Sequence, residues 1–244
     1  MILTNRNVNI STMSSSKRRS LPRSYLGKNT DERMALRRDK FLDAGKVAFG
    51  NLGFQSTKIS DVCAAAGLTE RYYYEAFGSL TKLFEAVYLR ELEVLRQALD
   101  KAAAQAPDNP EAKAQALIEA YFRLLEDDRR LARILIIDIY GAAPSIDHLY
   151  SRGVQQFADR FGLAVVLGLK DSLDPRLDAG LISTALVGAA SSLAMRWYVG
   201  GYREPRAAIV QSCLAIFLAV IRMGEKMLKD SSTLHGKNRN NSRR

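Results

Sequence analysis

Side chains able to do chemistry are sparse and scattered in this sequence. Cys63 and Cys213 are its only cysteines and His148 and His235 its only histidines, each far from the others. They form no spaced ligand pattern, so no metal site is predicted, and two such isolated thiols suit a reducing compartment. The adjacent acids Asp127 and Asp128 stand beside Arg129 and Arg130, which reads as a solvated helix end rather than an acid–base pair. No Ser/His/Asp or Cys/His grouping and no glycine-rich phosphate loop can be picked out. The expectation is a protein that is not an enzyme and uses no cofactor.

The remaining chemistry is charge. A net +10 on 244 residues suggests a polyanionic partner. Position tempers that signal. Residues 1–30 hold six basic side chains and no acid, and 229–244 hold five basic side chains and one acid, so the tails carry the whole excess. Residues 31–90 hold nine basic and eight acidic side chains. Both tails are poor in large apolar residues and cannot offset their ordering entropy by burial, so 1–30 and 229–244 are expected to be disordered. Each serves either as a solubilising tail or as a basic arm that attracts phosphates. No apolar core follows the early arginines as a targeting peptide requires, and a cytoplasmic protein is expected.

Between the tails the apolar residues recur every three to four positions and nowhere alternate with period two, which predicts an all-α chain of about nine helices. Breaks fall at Gly53, Gly67, Gly78, Ala106–Pro110, Gly141–Pro144, Leu173–Pro175 and Gly200–Pro205. The first helix is expected over Met34–Asn51, with Phe41, Ala44, Ala48 and Phe49 inward. Thr57 is expected to cap a short helix carrying Ile59, Val62, Cys63 and Ala66 on one face. A second short helix starts at Thr69, and a long one after Ser79.

Two short helices joined by Ala66-Gly67-Leu68 make a helix-turn-helix over about 57–77. Gly67 suits the left-handed turn. Cys63 reads as a small buried apolar residue that lets the helices approach. Tyr72, Tyr73 and Tyr74 cannot all face inward at 100° per residue. Tyr73 and Phe77 are assigned to the core, which leaves Thr69, Glu70, Arg71, Tyr72 and Tyr74, with Thr57, Lys58 and Lys82, to meet base edges and phosphates. Arg71 is the candidate guanine contact, its alternative being a solvated arginine.

The order and spacing of Ala44 to Phe49, Gly53-Phe54, Thr57 with Ile59, Asp61 through Thr69, Tyr73-Tyr74, Phe77, Ser79 and Leu83-Phe84 carry a resemblance. From Arg38 to Tyr88 the chain resembles the amino-terminal domain of the TetR family of regulators. The resemblance implies a homodimer on a double-stranded DNA operator, three helices as reader, a fourth linking helix, and a larger helical domain for a small-molecule effector. Boundaries follow: a reader over 34–94 and a ligand-binding and dimerisation domain over 95–228. The family often has an aromatic residue or His where Ala76 stands and Lys where Leu80 stands. Those departures remove phosphate clamps, for which Lys58, Lys82 and the basic arm compensate.

The carboxy-terminal half carries weaker signals. Residues 179–195 run without a charge, but Arg196 follows and the composition is rich in Ala, Gly and Ser, so a packed helix is expected rather than a membrane span. It and the helix over Ala207–Met223 are read as a dimer surface through Leu186, Ala189, Leu193, Ile209, Ile216, Phe217 and Val220, or else as intrachain core. Tyr121, Ile134, Asp138, Phe157, Phe161, Met195 and Trp197 are the candidate pocket, with ordinary core packing as the alternative. Asp138, set among isoleucines, requires a partner: a helix-end amide, Arg133 or Arg196, or a cationic ligand. The function so read is a ligand-responsive repressor; the alternative is a ligand-independent architectural DNA-binding protein.

Overall fold

A computed structural model describes residues 23–140, 146–166, 178–220 and 222. The chain divides into two units, residues 1–36 and residues 37–244. Among the described residues the regular structure is helical: α1 (Arg23–Leu52), a 3-10 turn (Phe54–Ser56), α2 (Ile59–Ala66), α3 (Glu70–Ala76), α4 (Leu80–Gln105), α5 (Pro110–Asp127), α6 (Arg129–Arg133) running into a π-turn (Ile134–Asp138), α7 (Asp147–Val166), α8 (Ala179–Val199) and α9 (Arg206–Val220). α1 begins eleven residues before Met34, so 23–30 are helical and not the disordered arm expected there. Once a helix is nucleated by packing, each further residue gains a hydrogen bond at little cost. The breaks expected at 141–144 and 173–175, and the tails 1–22 and 229–244, lie outside the described residues.

Local signals explain the boundaries. Ser79 accepts from the Lys82 amide to start α4, Asn109 from the Ala112 amide with Pro110 at the first position of α5, and Asp178 from the Leu181 amide to start α8. α2 is capped one residue later than expected: Lys58 is its N-cap, with its amide donating to Asp61 Oδ2 at 2.9 Å. Thr57 is buried instead, and its hydroxyl donates to the carbonyl of Gly53 at 2.7 Å. The reason is that α1 ends just before, and Gly53 O has no helical partner of its own.

α4 crosses the domain boundary expected at residue 94 without a break. Its inward stripe is Leu83, Phe84, Val87, Tyr88, Glu91, Leu95 and Leu99, and helical spacing forces the carboxylate of Glu91 onto the apolar face. There Lys46 of α1 donates to it at 2.7 Å, with Arg90 at 3.6 Å. The same ammonium meets Asp128 at 2.7 Å. Asp128 is therefore no solvated helix end: it caps α6 through the Arg130 and Leu131 amides and ties α6 to α1.

Burial works against both charges, but the bonds between them win. Lys46 is held above its ordinary value, and Asp128, also bonded by Leu131 and Arg130, is held below the usual carboxylate range. Stabilisation from Asp128 is present above the unfolded carboxylate pKa and is lost as pH falls through the lowered folded value. That from Lys46 is present below 10.5 and is lost as pH rises past it. Lys46→Ala leaves Glu91 buried with only a distant arginine. We expect it to cost on the order of 3 kcal/mol in urea unfolding at neutral pH and to flatten both the acid and the alkaline flank of the stability profile.

Candidate nucleic-acid interface and apolar cavity

The helix pair α2–α3 is built around one aromatic cluster. Tyr73 is fully buried, its ring edge-on to Phe41 at 5.5 Å and tilted against Phe77 at 6.1 Å. Gly67 closes α2 at φ 64° and ψ 33°, a left-handed turn that costs glycine nothing. Cys63 is buried beside this turn, and burial followed by the nearby Glu70 charge pushes its thiol up, consistent with a packing role.

α3 then presents Glu70, Arg71, Tyr74 and Glu75 to solvent, with Thr69 exposed at its N-cap. Lys58 and Lys82 are exposed on the flanks. Two placements differ from expectation. Thr57 is buried, so its side chain offers nothing to a partner surface. Tyr72 is half-buried, packed on the core with the Arg37 guanidinium 3.9 Å over its ring. Arg37 and its neighbour Arg38 were not among the expected site residues. Arg38 donates to the Ala76 carbonyl at 3.1 Å and lies 4.3 Å over Phe77, so this pair fixes the tilt of α3 on α1. Ala76 and Leu80, where clamping side chains were missed, are half-buried packing positions here.

Arg71, the one arginine of α3, is 83% exposed and pairs with Glu75 at 3.0 Å. That pair is solvent-screened and weak, so it can exchange for an external acceptor at little cost.

Above this face, the end of α1 is held from outside. Arg133 donates to the carbonyls of Asn51 and Leu52, and Arg130 to the Asn51 side chain at 2.9 Å. Asp138 accepts from the Phe54 amide at 3.0 Å and from Arg133 at 3.4 Å. Of the partners left open for Asp138, the structure selects an amide and Arg133; Arg196 pairs with Glu204. Burial keeps the Asp138 carboxyl above the usual range, with these two partners pulling the other way. Glycine permits the approach: a Cβ at Gly50 would stand 2.8 Å from the Arg130 Cα, and Gly53 turns at φ 88° against the Arg133 guanidinium.

On the far side of the π-turn, Leu135 and Ile136 line an apolar cavity of ≈ 680 Å³, its open mouth included, between α4, α5, α7, α8 and α9. Of the seven expected pocket residues, Tyr121 and Phe157 line it. Ile134 and Trp197 are core, the indole donating to Glu204 O at 2.8 Å, while Met195 is half-buried away from the lining. Asp138 serves the latch just described. The side chain of Phe161 lies outside the described residues. The expectation missed Tyr88, Leu92, Leu95 and Leu99, because α4 reads as a linker, and Tyr150 and Ser191, which no local pattern marks.

Of the expected dimer residues, Leu186, Ile209 and Phe217 are buried within the single chain, and Phe217 lines the cavity. Their spacing identified the inner faces of α8 and α9, since an inner and an outer apolar face have the same period. Ile216 is 43% exposed, and Ala189, Leu193 and Val220 are half-buried. Leu181 and Val199 are more exposed than any of these. α8 is long and apolar enough to cross a membrane by length and composition; it packs along α7 and lines the cavity through Val187, Ala190 and Ser191.

Two short helices with one exposed face, tied to a helical bundle that holds an apolar cavity, make up a fold that solved structures share. The FadR fatty acid degradation regulator of Bacillus halodurans superimposes with a TM-score of 0.66 at 15% identity, over 75% of this chain and 94% of that one. The FadR regulator of Bacillus subtilis, solved with stearoyl-CoA, gives 0.65 at 14%, over 73% and 96%. A TetR-like transcriptional regulator from Rhodococcus gives 0.59 at 25%, over 77% and 97%. No family profile and no curated relative matches the sequence. The chain has the all-helical fold of the TetR-type regulators.

The buried hydroxyl of Tyr73 has no hydrogen-bond partner among the described residues. Tyr73→Phe removes that unpaired group without changing the ring. It is expected to raise stability by about 1 kcal/mol, read as a higher urea midpoint; a lower midpoint would show that the hydroxyl is satisfied.

Proposed function

We propose that this chain is a cytoplasmic, sequence-specific DNA-binding transcriptional regulator. It acts as a homodimeric, ligand-responsive repressor on a palindromic operator. The observation that carries this reading is the continuity between two sites. The π-turn that lines the cavity with Leu135 and Ile136 also holds, through Asp138, the amide of Phe54 at the end of the reader's first helix.

Arg71 and Tyr74 reach base edges from the exposed face of α3, and Thr69, Glu70, Lys58 and Lys82 border the phosphates. Thr57 acts from inside, by fixing the turn that places Lys58. Residues 34–94 form the reader and 95–228 the effector and dimer domain. One helix as short as α3 spans too few base pairs, so two copies are required. The outward apolar side chains Leu181, Val199 and Ile216 of α8 and α9, with Ala189, Leu193 and Val220 beside them, supply the dimer surface. A small-molecule effector in the cavity is supported by the regulator neighbours, one of them holding stearoyl-CoA.

Ligand response follows from population shift. An occupant that displaces Leu135 or Ile136 moves the turn carrying Asp138, and with it the end of α1 and the spacing of the two α3 helices. π-turns inside helices are frequent at functional sites.

Selection from random DNA duplexes by the full-length chain is expected to recover a palindrome. Arg71→Ala with Tyr74→Ala is then expected to weaken binding to it by about 100-fold while the dimer sediments unchanged. Recovery of no shared sequence, with affinity that depends on salt alone, would instead establish the architectural alternative. Asp138→Ala is expected to accelerate amide exchange at Phe54 and to shift operator affinity several-fold from a site that touches no DNA. Operator affinity equal to that of the parent chain would refute the coupling.

A further inference from the structure

The cavity wall is apolar except for hydroxyls. Its described lining contains no acid and no base, and its polar side chains are Tyr88, Tyr121, Tyr150 and Ser191. The tyrosines converge. Tyr150 is steadied by Tyr140, their hydroxyls 2.5 Å apart and their rings at 4.6 Å. Tyr121 shares a hydrogen bond with Ser191 and lies close enough to feel both Tyr150 and Tyr88. The Tyr88 hydroxyl stands over Gly153, where a Cβ would come within 2.9 Å of it; the missing side chain on α7 leaves that hydroxyl its space.

On the helices that line it, Glu91 is engaged with Lys46 and Arg90, and beside it Asp138 with Arg133 and the Phe54 amide. A carboxylate, phosphate or ammonium entering the chamber would exchange water for hydroxyl dipoles and no counter-charge among the described lining residues, which disfavours it strongly. A neutral oxygen loses little, because phenol groups both donate and accept. Burial raises the titration of Tyr88 and Tyr121, so both keep their protons and remain donors.

We infer that the cavity takes an apolar molecule bearing one uncharged hydroxyl or carbonyl group, gripped by the convergent hydroxyls of Tyr88, Tyr121 and Tyr150. This rests on the reading of the cavity as the effector site. It names the effector's chemical class: neutral at the polar end, hydrocarbon elsewhere.

Calorimetric titration of the full-length chain with 1-decanol, decanoate and decyltrimethylammonium separates the cases. The alcohol is expected to bind at least about tenfold more tightly than either ion. Tyr88→Phe with Tyr121→Phe, which keeps both rings, is expected to weaken the alcohol by about tenfold with an unchanged melting profile. Gly153→Leu, which fills the chamber beside Tyr88, is expected to abolish binding. An ion binding as tightly as the alcohol, or a double variant that binds the alcohol normally, overturns the ligand class. The cavity reading survives that result if Gly153→Leu still removes the binding. Absence of binding by all three probes, or binding that persists in Gly153→Leu, overturns the cavity reading itself.

Discussion

The last carbonyls of a helix have no partner within it, and for α1, whose final residues Asn51 and Leu52 are exposed, the chain supplies partners with side chains from a distant segment. Arg133 takes the carbonyls of Asn51 and Leu52, while Asp138 takes the amide of Phe54 that follows them. One guanidinium and one carboxylate thus satisfy both ends of this junction and each other, tying the π-turn to the start of the α2–α3 pair. Gly50 and Gly53 are part of the same constraint, since a side chain at Gly50 would collide with the α6 backbone at Arg130 and Gly53 holds a left-handed turn beside the Arg133 guanidinium.

The second tie, Lys46 with Glu91 and Asp128, gives the junction rigidity of a different kind. Buried charges are poor sources of net stability but severe penalties for rearrangement. The short helices α2 and α3 are thus tied to the rest of the chain by two sets of polar contacts, one through Lys46 and one at Phe54.

The two ends of the molecule share an economy of charge. The reading face carries Arg71 in a loose pair with Glu75, and the described cavity lining carries no charge at all. The exposed face of α3 and the apolar cavity are thus separated in space, with the polar contacts of Arg133 and Asp138 between them.

Periodicity and punctuation made the helical class legible, together with the helix-turn-helix and the inward assignments of Tyr73, Phe77 and Cys63. These follow from local rules: helical spacing, a left-handed glycine, and small residues where helices touch. The need of Asp138 for a partner was also readable, because a lone carboxylate among isoleucines cannot remain unpaired. Only tertiary structure decided who that partner is, that Thr57 turns inward, that Asp128 is an ion partner rather than a solvated end, and that Leu186, Ile209 and Phe217 face inward. The cavity lay beyond sequence for the same reason. Tyr88, Tyr121, Tyr150 and Ser191 come from four helices, and nothing local distinguishes a tyrosine that fills a core from one that lines a cavity.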